Sequence, residues 1–158
     1  MKDVTAVFPG TFDPFTLGHE NLVRRAAAMF ERLIVAVAAS RQETLFPLAE
    51  RVGIAAEVLR QVPNVQVVGF DCLLVDFLRQ QDARIVVRGV RTQADFEYEA
   101  RMTAMNRKLY PAMETVFLLP AEEYGYLSAS VVREVARHGG DVSQFVPEAV
   151  FSRLQHKL

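Results

Sequence analysis

The chain has 158 residues, enough for one domain with a sizeable core. Hydrophobic residues make up 51 % and charged residues 23 %, the balance of a soluble globular protein. A net charge of −1 gives no electrostatic footprint for general nucleic-acid binding, and no apolar run is long enough to span a bilayer. Met1-Lys2-Asp3 leads straight into an apolar run, without the features of a signal peptide. Cys72 is the only cysteine, which excludes an intramolecular disulfide or a cysteine metal cluster. It is expected to be a small buried or semi-buried side chain. Together these features predict a cytoplasmic protein with neither nucleic acid nor membrane as partner.

Strand-like and helix-like segments alternate along the chain. Residues 4–8 form an apolar run that reads as a buried strand, and a long turn rich in Gly and Pro follows it. A helix is predicted over 19–30, a strand over 33–38 and a helix over 48–61. A strand over 65–69, a helix over 74–81 and a strand over 84–88 come next. The chain then gives a helix over 95–110, a strand over 115–119 and helices over 128–138 and 147–156. Pro63-Asn64, Pro111 and Gly139-Gly140 mark helix ends. The strands are rich in Val and Ile and almost continuously apolar, as strands buried on both faces are. This alternation predicts an α/β fold: one Rossmann-like, doubly wound domain over 1–158, with a five-stranded parallel sheet and helices on both faces. Ligands in such sheets bind beyond the carboxyl ends of the strands. That rule gathers the segments 9–19, 39–47, 70–74, 89–92 and 120–130 at one edge.

The first of these segments carries the most chemistry. Pro9-Gly10-Thr11-Phe12-Asp13-Pro14-Phe15-Thr16-Leu17-Gly18-His19 joins a strand to a helix. Such a turn presents backbone N–H groups at a helix N-terminus, where anions bind. Gly10 and Gly18 permit close approach of a ligand to the backbone. A phosphate there can meet N–H groups, the hydroxyl of Thr11 or Thr16, and the imidazole of His19. At the end of the fourth strand, Arg88-Gly89-Val90-Arg91 offers two guanidinium groups suited to phosphate. Asp95 and Glu97, at the start of the next helix, suit its N-terminus electrostatically, whereas Glu99 has a wider role if it faces the cleft. The segment from Tyr124 to Arg133 ends a loop and opens a helix that Ser128 or Ser130 can cap, a second anion site. There is no P-loop, no G-x-G-x-x-G fingerprint and no Ser/His/Asp or Cys/His set, and three scattered histidines indicate no zinc site. The inventory fits a site that binds and orients phosphates without a covalent nucleophile.

Thr16-Leu17-Gly18-His19 resembles the T/H-x-G-H signature of nucleotidylyltransferases, in which the motif contacts the phosphates of a nucleoside triphosphate. Together with Pro9–Pro14, Val67-Val68-Gly69-Phe70, Arg88–Arg91, Asp95–Glu99, Met105-Asn106-Arg107 and Glu134–Arg137, it resembles the phosphopantetheine adenylyltransferases. The match runs from Val7 to Pro147. The resemblance implies transfer of AMP from ATP to 4′-phosphopantetheine, giving dephospho-coenzyme A and pyrophosphate, by direct attack and with Mg²⁺ carried by the ATP phosphates. It implies that His19 stabilises the transition state. Thr11, Arg41, Gln42, Leu74 and Arg88 are then expected at phosphopantetheine. Thr11, Phe12, Gly18, His19, Gly89, Val90, Arg91 and Glu99 are expected at ATP. So are Tyr124, Gly125, Tyr126, Leu127, Ser128, Ala129 and Ser130. It further implies a homohexamer and inhibition by coenzyme A. The alternatives are a small nucleotidylyltransferase acting on nicotinate mononucleotide or a polyol phosphate, and a non-catalytic homologue that binds coenzyme A or a nucleotide.

The sequence departs from the family pattern twice. The loop after the second strand is one residue short and lacks the family's usual lysine. Gln42 or Glu43 takes that position, with Arg41 the nearby cation expected to supply the charge. Ala129 stands where a serine is usual. Apart from Lys2, Lys108 and Lys157, every Lys or Arg in the chain is arginine, which fits the use of Arg41.

Overall fold

A computed structural model describes residues 4–158; the expectation for Met1-Lys2-Asp3 lies outside the described residues. Five parallel strands form one sheet in the order β3-β2-β1-β4-β5. They are β1 (Thr5–Gly10), β2 (Arg32–Ala38), β3 (Val65–Phe70), β4 (Ile85–Gly89) and β5 (Glu114–Leu118). Between and after them lie α1 (Leu17–Ala27), α2 (Leu48–Val58), α3 (Leu74–Gln80), α4 (Gln93–Leu109), α5 (Ala129–Arg137) and α6 (Glu148–Lys157). The expected sheet, strand number and helix number are all present. The chain moves outward from β1 to β3, then returns to β4 on the other side. β1 therefore sits at the centre, paired with β2 at Val7↔Ile34 and with β4 at Val7↔Val86.

The central strands β1, β2 and β4 bury residues on both faces, as their continuity predicts, whereas the edge strands β3 and β5, each paired on one side only, hold no fully buried residue. On one face Ala6, Phe8, Leu33, Val35, Val37 and Val87 pack with residues of α1, α2, α5 and α6. On the other, Val7, Ile34, Ala36 and Val86 pack with Val75, Phe77 and Leu78 of α3 and with Met113. Neighbouring residues of β1, β2 and β4 alternate between the two cores, the period-2 rule of a strand. α4 lies over β5, where Phe96 meets Phe117 edge-on at 5.6 Å between ring centres.

Some boundaries and one burial expectation differ from the sequence reading. α1 begins at Leu17 because Thr16 caps it; His19 is therefore the third helical residue. Ser128, of the two serines considered, caps α5 by accepting the N–H of Val131. Cys72 is exposed, not buried or semi-buried. It lies in the short connection between β3 and α3, past the last residue that the sheet covers.

Candidate active site

The carboxyl ends of β1 and β4 open into a cavity of about 550 Å³. The 9–19 turn forms its floor. Thr16 fixes the start of α1: its hydroxyl accepts the N–H of His19 at 3.2 Å, and His19 Nδ1 accepts the N–H of Thr16 at 3.0 Å. This reciprocal cap satisfies two backbone donors that a helix N-terminus otherwise leaves free. It also decides the imidazole tautomer. Because Nδ1 accepts, the ring proton sits on Nε2, which becomes a donor.

The ring packs at 5.0 Å from Phe12 and 5.6 Å from Phe15. Its pKa falls from 6.5 to about 4, first through burial and then through the charges of Arg91 and Arg88. His19 is thus neutral at physiological pH and acts as a hydrogen-bond donor, not as a cation. Phe12 has a φ of 51°, the left-handed region that bulky residues rarely enter.

Opposite the turn, Arg88 is held on three sides. Its Nε and Nη2 donate to the two carboxylate oxygens of Glu99 at 2.9 and 2.5 Å, and Nη1 donates to Pro9 O at 2.6 Å. Glu99 is the buried residue of α4, so its position on that helix serves to orient this guanidinium. Arg91 donates to Leu127 O at 3.0 Å and lies 3.6 Å from Asp95, which accepts its backbone N–H. Arg133 of α5 also lines the cavity. It donates to Asp13 O and, at 3.3 Å, to Ser130 Oγ, both uncharged acceptors. No carboxylate pairs with it among the described residues, so its positive charge remains uncompensated at the cavity wall.

Residues 7–135 match the model of the cytidylyltransferase-like family. A phosphopantetheine adenylyltransferase of Aromatoleum aromaticum is 60 % identical over 100 % of this chain and 98 % of its own length. Another, of an Azoarcus species, is 58 % identical over 100 % of this chain and 98 % of its own. The chain belongs to the phosphopantetheine adenylyltransferase family. The fold alone is also shared with a solved bifunctional NMN adenylyltransferase/ADP ribose pyrophosphatase from Francisella tularensis. That structure has a TM-score of 0.74 at 14 % identity, over 97 % of this chain and 49 % of the other.

Many of the residues singled out by resemblance to the phosphopantetheine adenylyltransferases meet in this one cavity. Thr11, Phe12, Gly18 and His19 come from the turn and α1, while Arg88, Gly89, Arg91 and Glu99 come from β4 and α4. Tyr124, Leu127, Ser128, Ala129 and Ser130 complete it from the segment before and at the start of α5, and Gln42 adds the 39–47 loop. Others lie off the wall. Val90 is buried and bonds its N–H to Leu118 O. Gly125 closes a 3-10 turn, and Tyr126 is exposed with its ring edge-on to Phe145. Leu74 opens α3 and packs against the second core. Arg41 is exposed and outside the wall, whereas Ser40, Gln42, Glu43 and Thr44 reach it. The Gln42 N–H bonds to Ser40 Oγ at 3.1 Å, which turns the loop locally.

Sequence reading gave no role to Arg133 or Arg51. Arg133 had a usable signal: it falls three residues after Ser130, on the same side of α5. Arg51 had none, since its partners are brought to it only by the fold.

Proposed function

We propose that this protein transfers AMP from ATP to 4′-phosphopantetheine, releasing pyrophosphate and forming dephospho-coenzyme A. The carrying observation is the neutral His19, locked by Thr16 with Nε2–H as donor, in one cavity with Arg88, Arg91 and Arg133. The acceptor phosphate attacks the α-phosphorus of ATP and pyrophosphate leaves, with no covalent enzyme intermediate. The chain's contribution is orientation and stabilisation of the charge that develops on the α-phosphate oxygens. His19 donates to that oxygen. Arg91 steadies the triphosphate, Arg88 and Thr11 orient the acceptor phosphate, and Arg133 adds the positive charge that the family's missing loop lysine would give.

Mg²⁺ fits this site as a companion of the nucleotide. No group of three or more His, Cys, Asp or Glu side chains converges on one point among the described residues. Of the carboxylates that line the cavity, Asp13 is engaged by backbone N–H groups, Glu99 by Arg88 and Asp95 by Arg91, and Glu43 by itself makes no metal cage. Phosphate oxygens and water would therefore supply its ligands, and it would supply charge neutralisation between the phosphates.

Two further readings accompany this one. Coenzyme A shares the pantetheine and adenosine parts of the product, so the same cavity accommodates it as an inhibitor. Self-association, as a hexamer, is supported by a stripe on α4. Tyr98, Met102, Met105 and Leu109 follow at helical spacing and stand 57 %, 41 %, 66 % and 54 % exposed. Light scattering on the purified chain tests the assembly, which a monomer at micromolar concentration would refute. A cytoplasmic location suits ATP as substrate, and no helix among the described residues is long and apolar enough to cross a membrane.

The decisive experiment incubates the protein with ATP, Mg²⁺ and either 4′-phosphopantetheine, nicotinate mononucleotide or a polyol phosphate, and follows pyrophosphate. Release with 4′-phosphopantetheine alone is expected. Release only with another acceptor, or tight ligand binding without turnover, would overturn the reading.

A further inference from the structure

Arg51 takes a guanidinium into the core at 2 % exposure, and nothing in the transfer chemistry above uses it. Its donors go to backbone carbonyls. Nε donates to Phe46 O at 2.9 Å, and Nη1 donates to Thr11 O at 2.7 Å and to Ala38 O at 2.8 Å. These carbonyls belong to three segments: the 9–19 turn, the end of β2 and the close of the 39–47 loop. Asp13, 3 % exposed, makes the complementary set. Its Oδ2 accepts the N–H of Leu45 at 2.8 Å and its Oδ1 accepts that of Phe46 at 3.0 Å. Phe46 is therefore gripped at its N–H by Asp13 and at its carbonyl by Arg51.

A buried charge is unfavourable without hydrogen bonds, and a well-packed apolar residue serves stability equally well or better. What the charged pair does, and an apolar residue would not, is fix the relative placement of two loops. Those loops form two walls of the cavity. One carries Thr11, Phe12 and His19; the other carries Ser40, Gln42 and Thr44. The two bonded residues of the first wall, Thr11 and Asp13, flank Phe12, whose φ of 51° needs support on both sides. The Phe12 ring in turn rests against the ring of His19.

We infer that Arg51 and Asp13 are positioning residues: their hydrogen bonds set the His19 wall and the 39–47 loop at the separation that the two reacting phosphates require. The inference rests on the adenylyl-transfer reading. Arg51 lies behind the wall, and the Asp13 carboxylate is turned to the loop, so both act through other residues. A reaction without a covalent intermediate depends heavily on alignment, and a displacement of about 1 Å costs roughly 10²-fold in rate. The brace also explains how a loop one residue short, and without its lysine, keeps a defined path. A lysine at position 51 would supply a point charge on a single nitrogen in place of the planar fork that spans three carbonyls.

The test uses the full chain with R51A, R51K and D13N, measuring pyrophosphate release from ATP and 4′-phosphopantetheine. Near-ultraviolet circular dichroism reports the fold. R51A is expected to keep the native spectrum while kcat drops roughly 10²-fold and KM for ATP moves less than about threefold. R51K is expected between R51A and the parent. Added guanidinium is expected to restore part of the R51A rate and to leave H19A unchanged. A folded R51A with kcat within about threefold of the parent would overturn the inference, as would a rate loss that guanidinium leaves untouched. If R51A does not fold, D13N decides: a kcat about tenfold lower with a native spectrum supports the inference, and a parental kcat overturns it. A parent protein that releases no pyrophosphate refutes the transfer reading itself, which separates the two failures.

Discussion

Replacing His19 by alanine removes two interactions, and the structure separates them. The first is the hydrogen bond from Thr16 N–H to Nδ1 at 3.0 Å, half of the reciprocal cap of α1. Its loss leaves a part-buried backbone donor without its partner, at about 1 kcal/mol. In a chain of this size that lowers Tm by roughly 2–4 °C. The second is the Nε2–H donor proposed to meet the α-phosphate. Removing one such donor lowers kcat by about 10²–10³, equivalent to roughly 3–4 kcal/mol of transition-state stabilisation. KM for ATP should move much less, because this bond strengthens as the charge develops. H19Q distinguishes the two effects. Glutamine at the third helical position is an ordinary capping-box residue, so it restores the bond to Thr16 and recovers Tm. Its flexible amide does not reproduce the imidazole fixed by Phe12 and Phe15, so kcat should stay at least about tenfold below the parent. Steady-state pyrophosphate release at saturating substrates, with thermal melts on the same samples, gives both quantities. An H19A enzyme with near-parental kcat would refute the assigned role, and an H19Q enzyme that recovers neither quantity would refute the cap.

The depressed His19 pKa gives a signed pH dependence. The folded ring stays neutral down to about 4 while the unfolded ring protonates near 6.5, so its contribution is complete above pH 6.5 and lost as pH falls toward 4. The full difference is about 3 kcal/mol, and urea titrations at pH 7 and pH 4.5 should show a smaller loss in H19Q than in the parent. Equal pH slopes in the two proteins would count against the shift. Arg133→Ala should lower kcat/KM for 4′-phosphopantetheine by about tenfold or more, roughly 1.4 kcal/mol, whereas Arg41→Ala, outside the wall, should change it less than about threefold. The reverse order in the same kinetic assay would return the missing lysine's role to Arg41. Arg91→Ala should weaken ATP more than 4′-phosphopantetheine, and Arg88→Ala should weaken 4′-phosphopantetheine at least as much as ATP. Separate calorimetric titrations of the two ligands test this; equal small losses would show both arginines to be solvated charges.

The sequence determined the parts of this protein that depend on near neighbours. Continuous apolar runs identify strands buried on both faces, and helical periodicity identifies the helices between them. A cap at Ser128 or Ser130 was legible because a cap acts over three residues, whereas Thr16, read as a phosphate hydroxyl, is shown as the cap of α1 only by the structure. The 9–19 turn was read as offering free helix N-terminal N–H groups, but those of Thr16, Leu17 and His19 are already bonded, to His19 Nδ1, Phe145 O and Thr16 Oγ1. The rule that ligands gather beyond the strand ends grouped four of the five distant segments at the cavity, whereas 70–74 lines none of it, and Phe70 and Leu74 pack against the second core. Tertiary structure alone decided how the site is held. The Arg51 partner Thr11 is 40 positions away, and Leu45 is 32 positions from Asp13, so no local pattern could connect them. It also assigned the acid of α4 to Arg88, placed Gln42 and not Arg41 at the wall, and gave Arg133 its place beside Asp13. Periodicity records which face of an element is buried, whereas a side chain's partner depends on the register and twist that bring separate elements together.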